Sequence, residues 1–174
     1  MSTNAQLWKK RREIPDMQVL DAAEQYDDAS RLLDARGAGA GVLLPLMNAA
    51  IISVELFLKS LSSESIFVPE STFGGYKVYA SPQVKKHTLI ELYESIPEDI
   101  RDELDSRFTT SRRASSASSL REILRTYEGL FAVSRYPFEE GSDIRKYPLT
   151  PLMELASFLR TFISSLRPVD RIDW

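Results

Sequence analysis

The sequence contains no cysteine and only one histidine, His87. The lack of cysteine excludes disulfide bonds, thiolate catalysis and cysteine-ligated zinc or iron–sulfur centres. A single histidine also excludes a metal site built from several histidines of one chain. An all-carboxylate magnesium or calcium site would need a suitable loop, and the sequence has no EF-hand pattern. We therefore predict neither a metal nor a cofactor.

Phosphate-binding loops, nucleophile motifs and long hydrophobic runs are absent as well. The chain has no GxxxxGK[ST], GxGxxG or GxSxG pattern, so nucleotide-loop and serine-hydrolase chemistry lack their usual markers. The longest uncharged run, residues 37–54, includes three glycines and a proline. A membrane span usually needs roughly 20 mostly apolar residues, and the polar start of the chain lacks a signal-peptide pattern. We expect a cytoplasmic protein without a membrane segment.

Charge is nearly balanced, with 22 basic and 25 acidic residues among 174 and a net charge of −3. This balance argues against nonspecific nucleic-acid binding by the whole surface, because such binding needs a basic face. Local basic clusters remain at Lys9–Arg12, Lys85–Lys86 and Arg112–Arg113. They can gather phosphate, or they can be ordinary solvated charges.

Helical periodicity dominates the rest of the chain. It predicts helices over residues 16–36, 43–62, 88–95, 97–108, 119–135 and 150–166. Residues 65–82 instead contain a Pro/Ser/Gly stretch with short apolar segments on either side, which predicts a short β-hairpin or an extended excursion. The fold class is therefore all-α, an up-and-down helical bundle of about five to six helices. We assign residues 16–168 to a single domain, 1–15 to a polar N-terminal segment and 169–174 to a C-terminal tail.

Capping residues predict where several helices begin. Asp16 and Thr150 are suitable N-caps. The segments Thr88–Glu91 and Ser119–Glu122 match the capping box, in which the side chains of the first and fourth residues each bind the other's backbone.

The second helix is the most apolar, because eleven of the sixteen residues in Leu46–Leu61 are apolar. A helix that is apolar on most sides is buried among others, so this one should be central. Asn48, Glu55 and Lys59 form a narrow polar stripe on it. Glu55 and Lys59 are spaced for an ion pair within the helix. The stripe either lines a groove or subunit interface, or is the solvated edge of the helix.

Two further segments are candidates for chemistry. His87 is either a general acid or base or an RNA contact, or it is a histidine holding a local hydrogen bond at a helix start. Arg135 is followed by Tyr136 and Phe138, and arginine beside aromatic rings suits binding of a phosphate and a stacked base. The alternative is a helix end whose aromatic residues pack on the core.

Three parts of the sequence together resemble the HEPN superfamily of helical bundles. The first is Ser53–Leu61, the second is His87–Leu92 with Ile96–Ile100, and the third is Ser134–Glu139. Their order and spacing match the family, and the resemblance covers about residues 17–166. It implies a helical bundle that often forms homodimers and acts on RNA, often in prokaryotic stress response or phage defence.

Catalytic members of that family are metal-independent RNases in which four to six residues separate an arginine from the histidine that follows it. This chain has Ala80, Ser81 and Pro82 where His87 would need the arginine, and no histidine follows Arg135 at that spacing. The resemblance therefore carries over only Glu55, Lys59, His87 and Arg135. We expect a noncatalytic module that binds RNA or a protein partner. The alternative is a divergent RNase or nucleotide-processing enzyme that uses His87 with Arg135, Glu55 and Lys59.

Overall fold

The protein is mostly helical, with a small antiparallel sheet. The computed structural model describes residues 9–37, 39–69, 75–81, 88–111, 119–166 and 169–171. In chain order the elements are β1 (Lys9–Ile14), α1 (Met17–Asp34), α2 (Leu43–Ser60), β2 (Glu64–Pro69), β3 (Tyr76–Ser81), α3 (Leu89–Glu94), α4 (Glu98–Ser111), α5 (Leu120–Thr126), α6 (Leu130–Arg135), a short 3₁₀ helix (Ile144–Lys146), α7 (Leu149–Ser164) and β4 (Val169–Arg171). The predicted helical bundle with a hairpin after the second helix is confirmed.

Helices α1 and α2 form an antiparallel pair joined by a glycine-rich turn. Gly37, Gly39 and Gly41 all have positive φ, which side chains other than glycine rarely adopt. The backbone N–H of Asp16 donates to the carbonyl of Ser60 over 2.7 Å, so the start of α1 lies beside the end of α2. The two helices therefore run in opposite directions.

Helix α2 is the centre of the bundle, as its composition predicts. It packs against α1, α3, α6 and α7. By length and composition it is also the one described helix that could cross a membrane, but 61% of it is buried inside the protein. Its inward face supplies fully buried side chains to one continuous core: Met47, Ala50, Ile51, Val54, Phe57 and Leu58. Burial of this face against several helices is what a core helix requires.

The sheet is larger than the predicted hairpin. Strands β2 and β3 pair antiparallel over their whole length, and β1 and β4 extend the sheet in the order β3-β2-β1-β4. Strands β1 and β4 come from the segments assigned to the polar N-terminus and the C-terminal tail, which are therefore partly sheet. The sequence of β1, Lys-Lys-Arg-Arg-Glu-Ile, lacks the alternation of apolar and polar residues that indicates a strand.

The predicted helix over residues 119–135 is wrong as a single element. Helix α5 ends at Thr126, and α6 begins at Leu130 after Gly129, which has φ +82°. A left-handed residue cannot continue a right-handed helix.

Two of the four predicted caps are present. The carboxylate of Asp16 accepts from two N–H groups of α1, and Ser119 and Glu122 form both arms of a capping box. Thr88 directly precedes α3, as predicted, but the capping box there is wrong: the Thr88 side chain makes no capping bond, and Glu128 accepts from the N–H of Ile90 instead. The prediction for Thr150 is wrong as well, because α7 begins one residue earlier, at Leu149.

Candidate binding groove

An open groove lies on the polar side of α2, between α1 and α6. Its volume is about 500 Å³. Eight side chains line it: Tyr26, Asn48, Ile52, Glu55, Leu56, Lys59, Phe131 and Arg135. We refer to it below as the α2 groove. The structure thus places the predicted polar stripe in a groove and brings it together with Arg135, which follows it by about 80 residues in the sequence.

Helical spacing explains which residues meet here. On α2, residues 48, 52, 55 and 59 are separated by three or four positions, which puts them on one face. On α6, Phe131 and Arg135 are four positions apart and share a face in the same way. Tyr26 joins them from α1 because that helix runs antiparallel beside α2.

Glu55 and Lys59 form an ion pair on this face. Glu55 is only 4% exposed, and a buried carboxylate is costly unless it is paired. The acid precedes the base by one helical turn, which is the favourable order for such a pair. The pair leaves the groove polar at this point but adds no net charge.

Asn48 is held by a short relay of hydrogen bonds to α6. Its side-chain Nδ2 donates to Oγ of Ser134 over 3.0 Å. The hydroxyl of Ser134 in turn donates to the carbonyl of Phe131 over 3.2 Å. The relay ties α2 to α6 directly beside the groove.

Arg135 is an exposed cation set against two aromatic rings. Its guanidinium carbon lies 5.2 Å from the centre of the Phe131 ring and 5.7 Å from that of Tyr136. These distances are typical of cation–π contacts. Arg135 makes no ion pair with any residue that the structure describes, so its N–H groups remain available to an anion.

The aromatic residues after α6 do not pack on the core, so that alternative is wrong. Tyr136 is 44% exposed and Phe138 is 82% exposed. Their rings contact each other edge to face, with centroids 6.4 Å apart. They follow the end of α6 at Arg135, where the chain leaves the helix and enters turns. The result is an exposed aromatic pair next to Arg135.

Several predicted residues do not join the groove. His87, Lys85–Lys86 and Arg112–Arg113 lie outside the described residues. Residues Lys9–Arg12 belong to β1, an inner strand of the sheet. The hypothesis that His87 meets Arg135 therefore stays a prediction.

Sequence reasoning missed the part that Tyr26, Phe131 and Ser134 play in the groove. Tyr26 and Phe131 fit the apolar faces of their helices and read as core residues, but Tyr26 is 42% exposed. The signal in the sequence was the run of Gly37, Gly39 and Gly41 between the first two helices, which suggests a tight antiparallel turn. Such a turn sets Tyr26 opposite the middle of α2. Nothing in the sequence linked Ser134 to Asn48.

The α2 groove offers a cation, a paired carboxylate, an amide and aromatic surfaces. Such groups can bind an anion, a polar group and a planar ring. Within the described part of the chain, no group of three or more histidine, cysteine, aspartate or glutamate residues can hold a metal ion. The groove side chains described here include no serine, cysteine or histidine that a neighbouring base activates, as nucleophilic catalysis requires.

Comparison with models of protein families, with the sequences of curated proteins and with solved structures finds no match to this chain. The resemblance to the HEPN superfamily stays a prediction from the sequence.

Proposed function

We propose that this protein is a noncatalytic HEPN-like module that binds single-stranded RNA in the α2 groove. The observation that carries the proposal is Arg135, which stands unpaired among the described residues against two aromatic rings at the groove. An arginine held in this way binds phosphate through its N–H edges while its face rests on a ring.

The aromatic side chains around Arg135 supply surfaces for bases. Tyr26 lines the groove and is partly exposed, and Tyr136 and Phe138 are exposed beside it. Stacking of a base on an aromatic ring contributes about 1–3 kcal/mol and tolerates any sequence, as single-strand binding requires. Double-stranded nucleic acid keeps its bases stacked inside and cannot use these rings.

Local charge favours an anion even though the chain is acidic overall. The Glu55–Lys59 pair cancels within the groove, which leaves Arg135 as the unbalanced charge among the lining residues. A single phosphate contact predicts weak binding with a shallow salt dependence. For a single strand, the slope of log K against the logarithm of the salt concentration should be about −0.7.

The family resemblance adds the biological setting to this proposal. It supports a homodimer that acts in prokaryotic stress response or phage defence, in the cytoplasm. The missing arginine before His87 supports binding without cleavage.

Fluorescence anisotropy with labelled single-stranded RNA tests the proposal, with Arg135→Ala as the variant. We expect binding to weaken about 10- to 100-fold, because hydrogen bonds to charged groups contribute about 1.5–3 kcal/mol. Arg125→Ala is the matched control: Arg125 is also exposed and also lies in the last turn of a short helix, but outside the groove. Equal losses in both variants, or no binding of RNA by the wild-type protein, would refute the proposal. Binding of a protein partner that depends on Arg135, without RNA, would support the other predicted ligand class.

An RNA cleavage assay separates binding from catalysis. We expect no cleavage by the wild-type protein at concentrations that saturate the RNA. Cleavage that disappears in His87→Ala would establish the RNase alternative.

A further inference from the structure

We propose that one face of the sheet is a second surface for single-stranded RNA, on which basic residues of β1, β3 and β4 bind phosphates and Tyr79 stacks on a base. We refer to it below as the basic sheet face. The inference rests on the RNA binding proposed above and adds a second contact surface to it. It gives a role to the basic cluster Lys9–Arg12, which does not line the α2 groove.

Strand pairing decides which residues share a face of the sheet. Residues opposite each other in neighbouring strands lie on the same face, and successive residues of one strand alternate between the two faces. Lys10 is opposite Ile66, which in turn is opposite Tyr79. Arg12 is two positions after Lys10 and is opposite Arg171 of β4. The face that carries Tyr79 thus gathers four basic residues from three strands: Lys10, Arg12, Lys77 and Arg171.

Charge is divided unequally between the two faces. Glu64 of β2 is the one acidic residue that the pairing of the described strands places on the basic sheet face. The opposite face carries Lys9 and Arg11, but Glu13 and Asp170 pair with each other on that same face and balance them. The basic sheet face therefore holds an excess of positive charge in a chain whose net charge is −3. Such an excess attracts a polyanion.

The side chains of β3 show the same alternation and leave an aromatic ring accessible. Tyr76 belongs to the opposite face, where its ring contacts that of Phe67 edge to face with centroids 6.5 Å apart. Tyr79 belongs to the basic sheet face and is 48% exposed, and Lys77 beside it is exposed. Strand β3 is an edge strand, and no helix of the described chain packs extensively on the sheet. A ligand can therefore reach Tyr79 and Lys77.

This combination of groups favours single-stranded nucleic acid. Residues on one face of a strand recur about every 7 Å, close to the separation of consecutive phosphates in an extended single strand. An exposed ring among the cations adds a surface for a base. An anionic membrane would favour exposed large apolar side chains for insertion, whereas Ile66 and Val68 of this face are only partly exposed.

Two double variants of β1 test the face directly. Lys10→Gln/Arg12→Gln removes two charges from the basic sheet face, and Lys9→Gln/Arg11→Gln removes the same two residue types from the opposite face of the same strand. Binding of labelled single-stranded RNA is measured by fluorescence anisotropy from about 50 to about 200 mM salt. The wild-type slope of log K against the logarithm of the salt concentration should be steeper than the value of about −0.7 expected of the groove alone.

We expect Lys10→Gln/Arg12→Gln to make this slope shallower by about 0.7–1.4, which corresponds to one or two phosphate contacts. At about 0.1 M salt this change weakens binding about 5- to 25-fold. Lys9→Gln/Arg11→Gln should keep the slope and the affinity of the wild type. Equal losses in the two variants, or no loss in either, would overturn the assignment to one face.

Tyr79→Ala tests base stacking at the edge strand, where a substitution of an exposed residue leaves the inner strand β1 intact. We expect it to weaken RNA binding about 5-fold or more. Tyr76→Ala is the matched control, because Tyr76 is 60% exposed on the same strand but belongs to the opposite face. Equal binding by the two tyrosine variants would contradict stacking on Tyr79.

The outcomes separate this inference from the groove proposal. If the wild-type protein binds no RNA, both fail. If Arg135→Ala loses binding while the variants of the basic sheet face bind as the wild type does, the sheet inference fails and the groove stands; the reverse result leaves only the sheet. Loss of binding to phosphatidylserine vesicles without any change in RNA affinity would assign the face to a membrane and overturn the inference. Thermal unfolding confirms that each variant was measured as folded protein.

Discussion

Two regions beside α2 use polar groups in opposite ways. Asp16 lies next to the C-terminal end of α2 and is 1% exposed, and both of its carboxylate oxygens accept hydrogen bonds. Oδ1 accepts from the N–H groups of Gln18 and Val19, each at 3.1 Å, and Oδ2 accepts from Oγ of Ser65 at 2.8 Å. In the α2 groove, Arg135 and the oxygen of Asn48 have no such partners among the described residues. Polar groups that the protein satisfies itself hold the fold, and those that it leaves open are suited to a ligand.

The largest effect should follow from Asp16→Ala, which removes a helix cap and a link between α1 and β2. Loss of an N-cap costs about 1 kcal/mol, and leaving a buried partner such as Ser65 unsatisfied costs about 1–3 kcal/mol. We expect the free energy of unfolding to fall by about 2–4 kcal/mol in urea titrations. The control is Asp21→Ala, since Asp21 lies on the same helix and is exposed. Similar losses in the two variants would contradict the structural role of Asp16.

Asp27 gives a second test of a buried carboxylate, on the helix that also contributes Tyr26 to the groove. It is fully buried and pairs with Arg31 at 2.9 Å and with Arg160 of α7 at 2.8 Å. The hydrogen bond to Asp28, and next the one to Asp27, raise the pKa of Arg160.

We expect Asp27→Ala to lower the free energy of unfolding by about 1.5–3 kcal/mol, the contribution of charged hydrogen bonds. The neighbouring Asp28→Ala should cost less than about 1 kcal/mol, because Asp28 pairs with the same arginine at an exposed position. RNA affinity should be unchanged in both variants. A loss of affinity in folded Asp27→Ala protein would mean that this pair also supports the groove.

Much of this architecture is predictable from sequence, since amphipathic periods of three to four residues specify helices without reference to the rest of the chain. The same reasoning placed Asn48, Glu55 and Lys59 on one face of the central helix. The strands β1 and β4 were not predictable, because their backbones pair with other strands while most of their own residues are polar.

The missed features of the site have the same origin. The contact between Asn48 and Ser134 joins residues 86 positions apart. The capping of α3 by Glu128 spans 38 positions. Local patterns specify single elements, whereas these contacts depend on how the elements pack, so they become visible only in the folded protein.

Tyr93 should produce a smaller effect that depends on pH. Burial, and next the hydrogen bond that its hydroxyl donates to Asp105, raise the pKa of Tyr93 above its ordinary value. A tyrosine whose pKa is raised on folding stabilises the protein fully below the pKa of the unfolded chain, about 10. That contribution is lost as the pH rises above this value toward the pKa of the folded state.

We therefore expect Tyr93→Phe to cost about 1 kcal/mol at neutral pH, the net value of one hydrogen bond, and the difference from wild type to shrink above about pH 10. Urea titrations from about pH 8 to about pH 11 measure it. Tyr79→Phe serves as the control, because Tyr79 is exposed on β3. A difference that grows with pH would contradict the assignment.

The smallest effect on stability should come from the α2 groove itself, and it is the sharpest test of the comparison. Arg135 is exposed, an exposed cation–π site contributes about 0.5–1 kcal/mol, and truncation leaves no buried partner unsatisfied among the described residues. We expect Arg135→Ala to change the free energy of unfolding by less than about 1 kcal/mol while it weakens RNA binding most. A neutral effect on folding joined to a large effect on binding would identify the groove as functional. If Arg135→Ala instead destabilised the protein as much as Asp16→Ala, Arg135 would be a structural residue. Polar groups without partners in the groove would then not differ in role from the hydrogen-bonded groups around Asp16.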